Sequence, residues 1–140
     1  MLAGFEAVTE RIIGCAIEVH RHTGPGLLES VYEACLAREF KAAPLEFERQ
    51  VALPIIYKSE ALDCAFRIDF VVERSVLVEV KSVEHTLDVH KAQVITYLRL
   101  SGLPVGLLIN FNVPVLRTGV RRLLRSPTSE PVVNRDSAPP

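Results

Sequence analysis

A chain of 140 residues that is 49% apolar is large enough for one domain with a substantial core. Its formal net charge of -1 excludes a globally basic polyanion binder, so any basic surface must be local. Three scattered cysteines (Cys15, Cys35, Cys64) without a Cys-x-x-Cys pair exclude a zinc knuckle or disulfide framework, and no apolar run approaches the ~20 residues of a membrane span.

Phe5 to about His22 reads as a helix: Val8, Ile12, Cys15, Ala16 and Val19 recur at helical spacing, with Glu6, Glu10, Arg11 and Glu18 off that stripe. Glu6 and Glu10, with no basic stretch before them, do not make a signal peptide. Gly24-Pro25-Gly26 stops the helix. A second helix from about Leu28 to Lys41 presents Val31, Cys35, Leu36 and Phe40, and ends at Ala42-Ala43-Pro44. Phe47 to Tyr57 is strand-like, with Pro54 indicating an edge position or a bulge. Lys58-Ser59-Glu60 forms a turn. Asp63 to Val72 then alternates, with Cys64, Phe66, Ile68 and Phe70 on one face and Asp63, Ala65, Arg67, Asp69 and Val71 on the other. Glu73-Arg74-Ser75 leads, as a hairpin, into Val76–Lys81.

Val76 to Lys81 is a buried strand with a problem. Val76, Val78 and Val80 point one way; Leu77, Glu79 and Lys81 point the other. Burying either charge alone costs several kcal/mol, so each needs a partner, a metal or a wet cleft. A helix follows from about Leu87 to Ser101, with Asp88 as cap or first-turn acid and Gly102 and Pro104 as its stop. Val105 to Phe111 is a second nearly all-apolar strand. Strand, helix, buried strand is a βαβ unit, so Val76–Lys81 and Val105–Asn110 should run parallel with a right-handed crossover. Leu116 to Leu124 adds a last strand or short helix. Residues 1–125 thus form one domain, and the Pro- and Ser-rich stretch 126–140 reads as a disordered or partner-packed tail.

In the hairpin, Asp69 and Glu79 can lie side by side, ~5 Å apart at Cβ. Carboxylates that close repel unless a cation lies between them, and oxygen ligands suit Mg²⁺ or Mn²⁺. Lys81, on the face of Glu79, would orient a water or offset charge developing on a phosphate. From spacing alone, an internal ion cluster that also uses Arg67 explains Asp69, Glu79 and Lys81 at least as well. His90, Gln93 and Tyr97 share a helix face. With Ala92, Ile95, Leu98 and Val94 serving the core, those three are free to line a cleft, or to form an ordinary polar face. Glu29 and Tyr32 make another polar pair, and Glu29 is equally a first-turn acid favoured by the helix dipole.

Gly26-Leu27-Leu28-Glu29-Ser30-Val31-Tyr32 matches the pattern that names the GxxExxY family. Arg67-Ile68-Asp69-Phe70, Glu79-Val80-Lys81, Gln93-x-x-x-Tyr97 and Gly106-Leu107-Leu108-Ile109-Asn110-Phe111 follow in that family's order. The chain resembles the family over roughly residues 8 to 124, and through it the PD-(D/E)XK nuclease-like superfamily, with an element similar to the exonuclease branch. The resemblance implies an α/β fold with a central mixed sheet flanked by helices, a restriction-endonuclease-like core. It implies that Asp69 and Glu79 ligate Mg²⁺ or Mn²⁺, that Glu29 completes or orients the site, that Lys81 is the catalytic lysine, and that Gln93 and Tyr97 position phosphate or water. Ile68 stands where the superfamily pattern has proline, a residue that only shapes the strand.

The leading expectation is a divalent-metal-dependent nuclease acting on DNA or RNA, DNA favoured, in the cytoplasm. Arg117, Arg121, Arg122 and Arg125, with Tyr32 and His90, are candidates for contacts to the polymer, or, for the arginines, a solvated edge. A mean hydropathy of +0.23 fits either a generous core or surface hidden in a homodimer or higher oligomer. The alternative is a nucleic-acid-binding or assembly module that keeps the fold without cutting. A small-molecule role finds no phosphate loop or dinucleotide fingerprint.

Overall fold

The apolar pattern of the first segment becomes a 22-residue helix, α1 (Leu2–Thr23), in the computed structural model, which describes residues 2–126. Ile12, Cys15, Ala16 and Val19 are buried along one stripe, as the spacing predicts. α2 (Glu29–Ala42) packs beside α1, where Arg11 donates to the Ala43 carbonyl (2.9 Å). Its buried face is Tyr32, Leu36, Ala37 and Phe40. Val31 instead lies in solvent, at 41% exposure, and Cys35 is half-buried, so the helix sits rotated by about one residue from the expected face. The cause is the aromatic ring of Tyr32, which stacks on Phe111 with centroids 4.5 Å apart.

The strands β1 (Phe47–Tyr57), β2 (Glu60–Val72), β3 (Val76–Lys81), β4 (Val105–Asn110) and β5 (Val120–Leu124) lie in that order in one sheet. Only β3 and β4 are parallel; every other neighbouring pair is antiparallel. β1 is an edge strand, and its register shifts between Pro54 and Ile56, so both readings of Pro54 hold. The Leu116–Leu124 segment supplies both alternatives, a short 3₁₀ turn (Leu116–Gly119) and then β5. The stretch 126–140, read as a tail, lies beyond the described residues except for Ser126.

α3 (Asp88–Ser101) connects β3 to β4 and covers the face opposite α1 and α2. It comes close because Gly106 has no side chain: a Cβ there would meet Val94 Cγ1 at 2.8 Å. The helix ends at Gly102, whose φ of +76° suits glycine and whose N–H closes on Leu98 O. Val94, Tyr97 and Leu98 form its buried face, whereas Ala92 is exposed and Ile95 half-buried, contrary to the expected core face. Val76, Val78 and Val80 pack under α1 and α2, and Leu77 packs under α3. Glu79 and Lys81 therefore share the α3 side of β3.

One strand departs from simple alternation. Phe66 and Ile68 pack with the α3 cluster, but Phe70 and Val72 pack with α1 and α2. The ring of Phe66 sits 5.3 Å from that of Tyr97, which fixes its side of the sheet. The expected single face of Cys64, Phe66, Ile68 and Phe70 is thus divided, and β2 changes face at Asp69. Cys64 is exposed. Among the described residues no helix is long and apolar enough to cross a membrane.

Candidate active site

The pairing of β2 with β3 runs from Val72–Val76 to Phe70–Val78 and stops. The next pair along would be Asp69 and Glu79. There the side chains replace the ladder. Val80 N–H donates to Asp69 Oδ2 (2.8 Å), and Asp69 N–H donates to Glu79 Oε1 (3.0 Å). Each carboxylate is thereby fixed by one oxygen to the neighbouring strand's backbone. Both strands remain tied, and both acids face one small volume.

Charge is expensive in that volume. Glu79 is only 4% exposed. Burial first, and the negative charge of Asp69 second, push its carboxyl up to about 8. Asp69 is also raised, chiefly by burial, with the Val80 N–H opposing. Lys81 lowers both by its charge, so its ammonium is in electrostatic reach. Yet among the described residues neither Lys81 nor Arg67 forms an ion pair with Asp69 or Glu79. Arg67 donates instead to the Gln50 backbone carbonyl (3.4 Å). The internal ion cluster that spacing alone allowed is not what these side chains build.

Tyr97 is buried at 4% exposure beside the pair, and its phenol is raised by burial and then by the Glu79 charge. Gln93 donates to Tyr97 Oη (3.0 Å), so the two act as one wall. Glu29, at the start of α2, accepts from Ser82 N–H (3.3 Å), one residue past Lys81. The Glu29 charge also raises Glu79, so it lies within electrostatic reach of the pair, although among the described residues no three His, Cys, Asp or Glu side chains gather as a metal cage.

The remaining expected contacts fall elsewhere. Tyr32 is fully buried: its hydroxyl donates to Gly24 O (2.6 Å) and accepts from Leu27 N–H (3.1 Å). It shapes the turn before α2 and presents nothing to a polymer. His90 Nδ1 accepts from Leu87 N–H (2.9 Å) at the start of α3, where Asp88 is the first helical residue. Arg117 and Arg122 reach Glu10 (3.4 Å) and Glu6 (3.8 Å) on α1, and Arg121 donates to the carbonyls of Thr118 and Val120. These arginines are exposed on or beside the edge strand β5, two of them partnered by acids, and the register sets Arg121 level with Glu79 across Leu108.

Sequence reasoning overlooked three residues here. Asn110, in register with Lys81 at the end of an apolar strand, is buried at 2% exposure. Its side chain accepts from Val83 N–H and Asn112 N–H and donates to Val83 O, which anchors the loop after Lys81. An amide ending an otherwise apolar buried strand was the available signal. Glu33 and Gln50 also reach the site: Gln50 Nε2 donates to Asp69 Oδ1 (3.3 Å) and to Glu33 Oε1 (2.8 Å). Nothing in the local pattern of an exposed edge strand marks Gln50.

The family model described as the PD-(D/E)XK nuclease superfamily matches residues 6–123. The chain belongs to that superfamily. Neither a curated protein nor a solved structure matches it significantly. The mixed five-stranded sheet with helices on both faces is the restriction-endonuclease-like core of this PD-(D/E)XK protein. Its donor set fits a hard divalent cation. Two carboxylates, no thiolate or imidazole among them, converge with Lys81 in electrostatic reach but no cationic side chain in direct contact. A cation held by one or two carboxylates, with waters and substrate phosphate filling the other positions, needs no third protein ligand.

Proposed function

We propose that this protein is a divalent-metal-dependent nuclease that hydrolyses phosphodiester bonds in nucleic acid, DNA rather than RNA. The observation that carries the reading is the acid pair. Asp69 and Glu79 are held together by reciprocal backbone hydrogen bonds, yet no arginine or lysine closes on them. A fold that buries two acids with Lys81 near but not in contact has a use for a counter-ion.

In this reading Asp69 and Glu79 hold Mg²⁺ or Mn²⁺. When bound, the cation supplies Lewis-acid polarisation of the phosphodiester and of the attacking water. Lys81 offsets the charge that develops on the phosphoryl oxygens. Tyr97, braced by Gln93, orients the phosphate against the pair. Glu29, already engaged with Ser82, orients the loop that follows Lys81 rather than ligating directly. Three unpaired thiols fit a cytoplasmic setting. Arg121, exposed on β5, is the basic residue of that strand without an acidic partner among the described residues, and remains our candidate for a backbone contact.

The test is cleavage of single- and double-stranded DNA and of RNA by purified protein with Mg²⁺ or Mn²⁺. Lys81→Ala should abolish turnover while leaving the circular dichroism spectrum unchanged. Equal activity in that variant overturns the mechanism. Salt-dependent binding with no cleavage under any metal assigns instead a module that binds without cutting.

A further inference from the structure

Gln50 lies on the edge strand β1, level with Asp69. Arg49 pairs with Phe70 and Val51 with Ile68, but the Gln50–Asp69 pair between them is missing from the ladder. The φ of Gln50 is +51°, a left-handed conformation unfavourable for a residue with a Cβ. Such strain persists only where the surroundings over-determine it. Three other departures occur at the same level of the sheet. Asp69 N–H leaves the ladder for Glu79. The β2–β3 pairing ends at Phe70. β2 changes face between Ile68 and Phe70.

The side chain of Gln50 explains what holds it there. Its amide bridges two acids, Asp69 at 3.3 Å and Glu33 at 2.8 Å. Glu33 is itself clamped by the Arg49 guanidinium, whose Nε and Nη2 donate to Oε2 at 3.2 and 2.9 Å. The chemistry of the bridge matters. An arginine or lysine in this place would neutralise Asp69 and compete with a cation. A neutral amide orients the carboxylate and leaves its charge in place, and the second lone pair of Oδ1 stays available.

We infer that Gln50 is a positioning residue for Asp69: its left-handed backbone keeps the strands open at that level, and its carboxamide ties Asp69 Oδ1 to the Glu33–Arg49 clamp. This rests on reading Asp69 and Glu79 as the metal pair. Gln50 touches neither the reacting phosphate nor the water; it acts through Asp69.

Two variants separate backbone from side chain. Gln50→Gly removes the amide and the strain together, while Gln50→Met removes the amide and keeps the strain. Thermal unfolding of metal-free protein and calorimetric titration with Mn²⁺ are measured for both. Gln50→Gly should unfold at a temperature a few degrees higher than wild type, on the order of 2–5 °C. Both variants should bind Mn²⁺ about tenfold or more weakly, the usual effect of losing a group that orients a ligand. In cleavage, kcat should fall in both while KM for the polymer stays unchanged. Wild-type Mn²⁺ affinity in both variants overturns the inference, and so does a lowered unfolding temperature for Gln50→Gly. Wild-type protein that binds no Mn²⁺ removes the metal reading itself, whereas wild-type binding with unaffected variants removes only the role of Gln50.

Discussion

Removing the charge of Glu79 should abolish a pH dependence that the metal-free fold carries. Its carboxyl, ordinarily near 4.5, is pushed up to about 8 by burial and by Asp69. Between those values the native state holds a proton that the unfolded chain releases, so stability falls as pH rises. The contribution is fully present below about 4.5 and fully lost above about 8. The difference corresponds to about 5 kcal/mol as an upper bound. Rotation toward solvent and water penetration relieve part of it, so the expected loss is ~2–4 kcal/mol, a large fraction of a typical domain's stability. Asp69, raised in the same direction, adds to the effect. The assay is urea unfolding in EDTA at pH 5.5 and 8.5, followed by far-ultraviolet circular dichroism because the chain has no tryptophan. Glu79→Gln keeps an acceptor for Asp69 N–H and should lose most of the pH slope. Adding Mn²⁺ should restore stability more at pH 8.5 than at 5.5, since the ion needs the ionised carboxylate. Equal wild-type stability at the two pH values, or an unchanged slope in Glu79→Gln, would refute the argument.

Other perturbations test how the site is supported. Asn110→Ala frees the Val83 backbone groups and the Asn112 N–H; it should cost ~1–3 kcal/mol and lower turnover, read by urea unfolding and a cleavage assay together. Gly119→Ala would drive a Cβ into the Asn110 carbonyl; we expect at least ~2 kcal/mol of destabilisation, visible as a reduced unfolding midpoint. Arg117→Ala and Arg122→Ala remove exposed pairs with Glu10 and Glu6; each should change stability by less than ~1 kcal/mol, and a larger loss would mean that the ties from α1 to the 3₁₀ turn and to β5 are structural.

The legible part of this molecule is the part governed by strict periodicity. β1, β3 and β4 occupy Phe47–Tyr57, Val76–Lys81 and Val105–Asn110 as their apolar runs predict. Burial on both faces leaves β3 and β4 no alternative register, whereas β1, an edge strand with no fully buried residue, takes its place from pairing with β2. The parallel pairing of β3 and β4 followed from the helix between them. The helix faces were less legible, because large residues that carry one polar atom counted as polar. Tyr32 and Tyr97 read as polar site residues in the sequence, yet both are buried at the centres of their helices' packed faces, and only Tyr97 also borders the acid pair. Their rings have more apolar surface to hide than Val31 or Ala92, and their hydroxyls find partners inside.

What local pattern could not give was the break at Asp69. Alternation assumes an unbroken pleat, and it correctly set Glu79 beside Lys81 on one side of β3. It failed on β2 because three residues distant in sequence meet there: Gln50 from β1, Glu33 from α2 and Glu79 from β3. Regular pairing would have satisfied the backbone of Asp69 with backbone and left its carboxylate no fixed direction. The break exchanges those ladder bonds for side-chain bonds, and in doing so aims two acids at one point. The irregular level of the sheet and the chemistry proposed for it therefore have one cause: the place where periodicity stops predicting is the place where the acids are assembled.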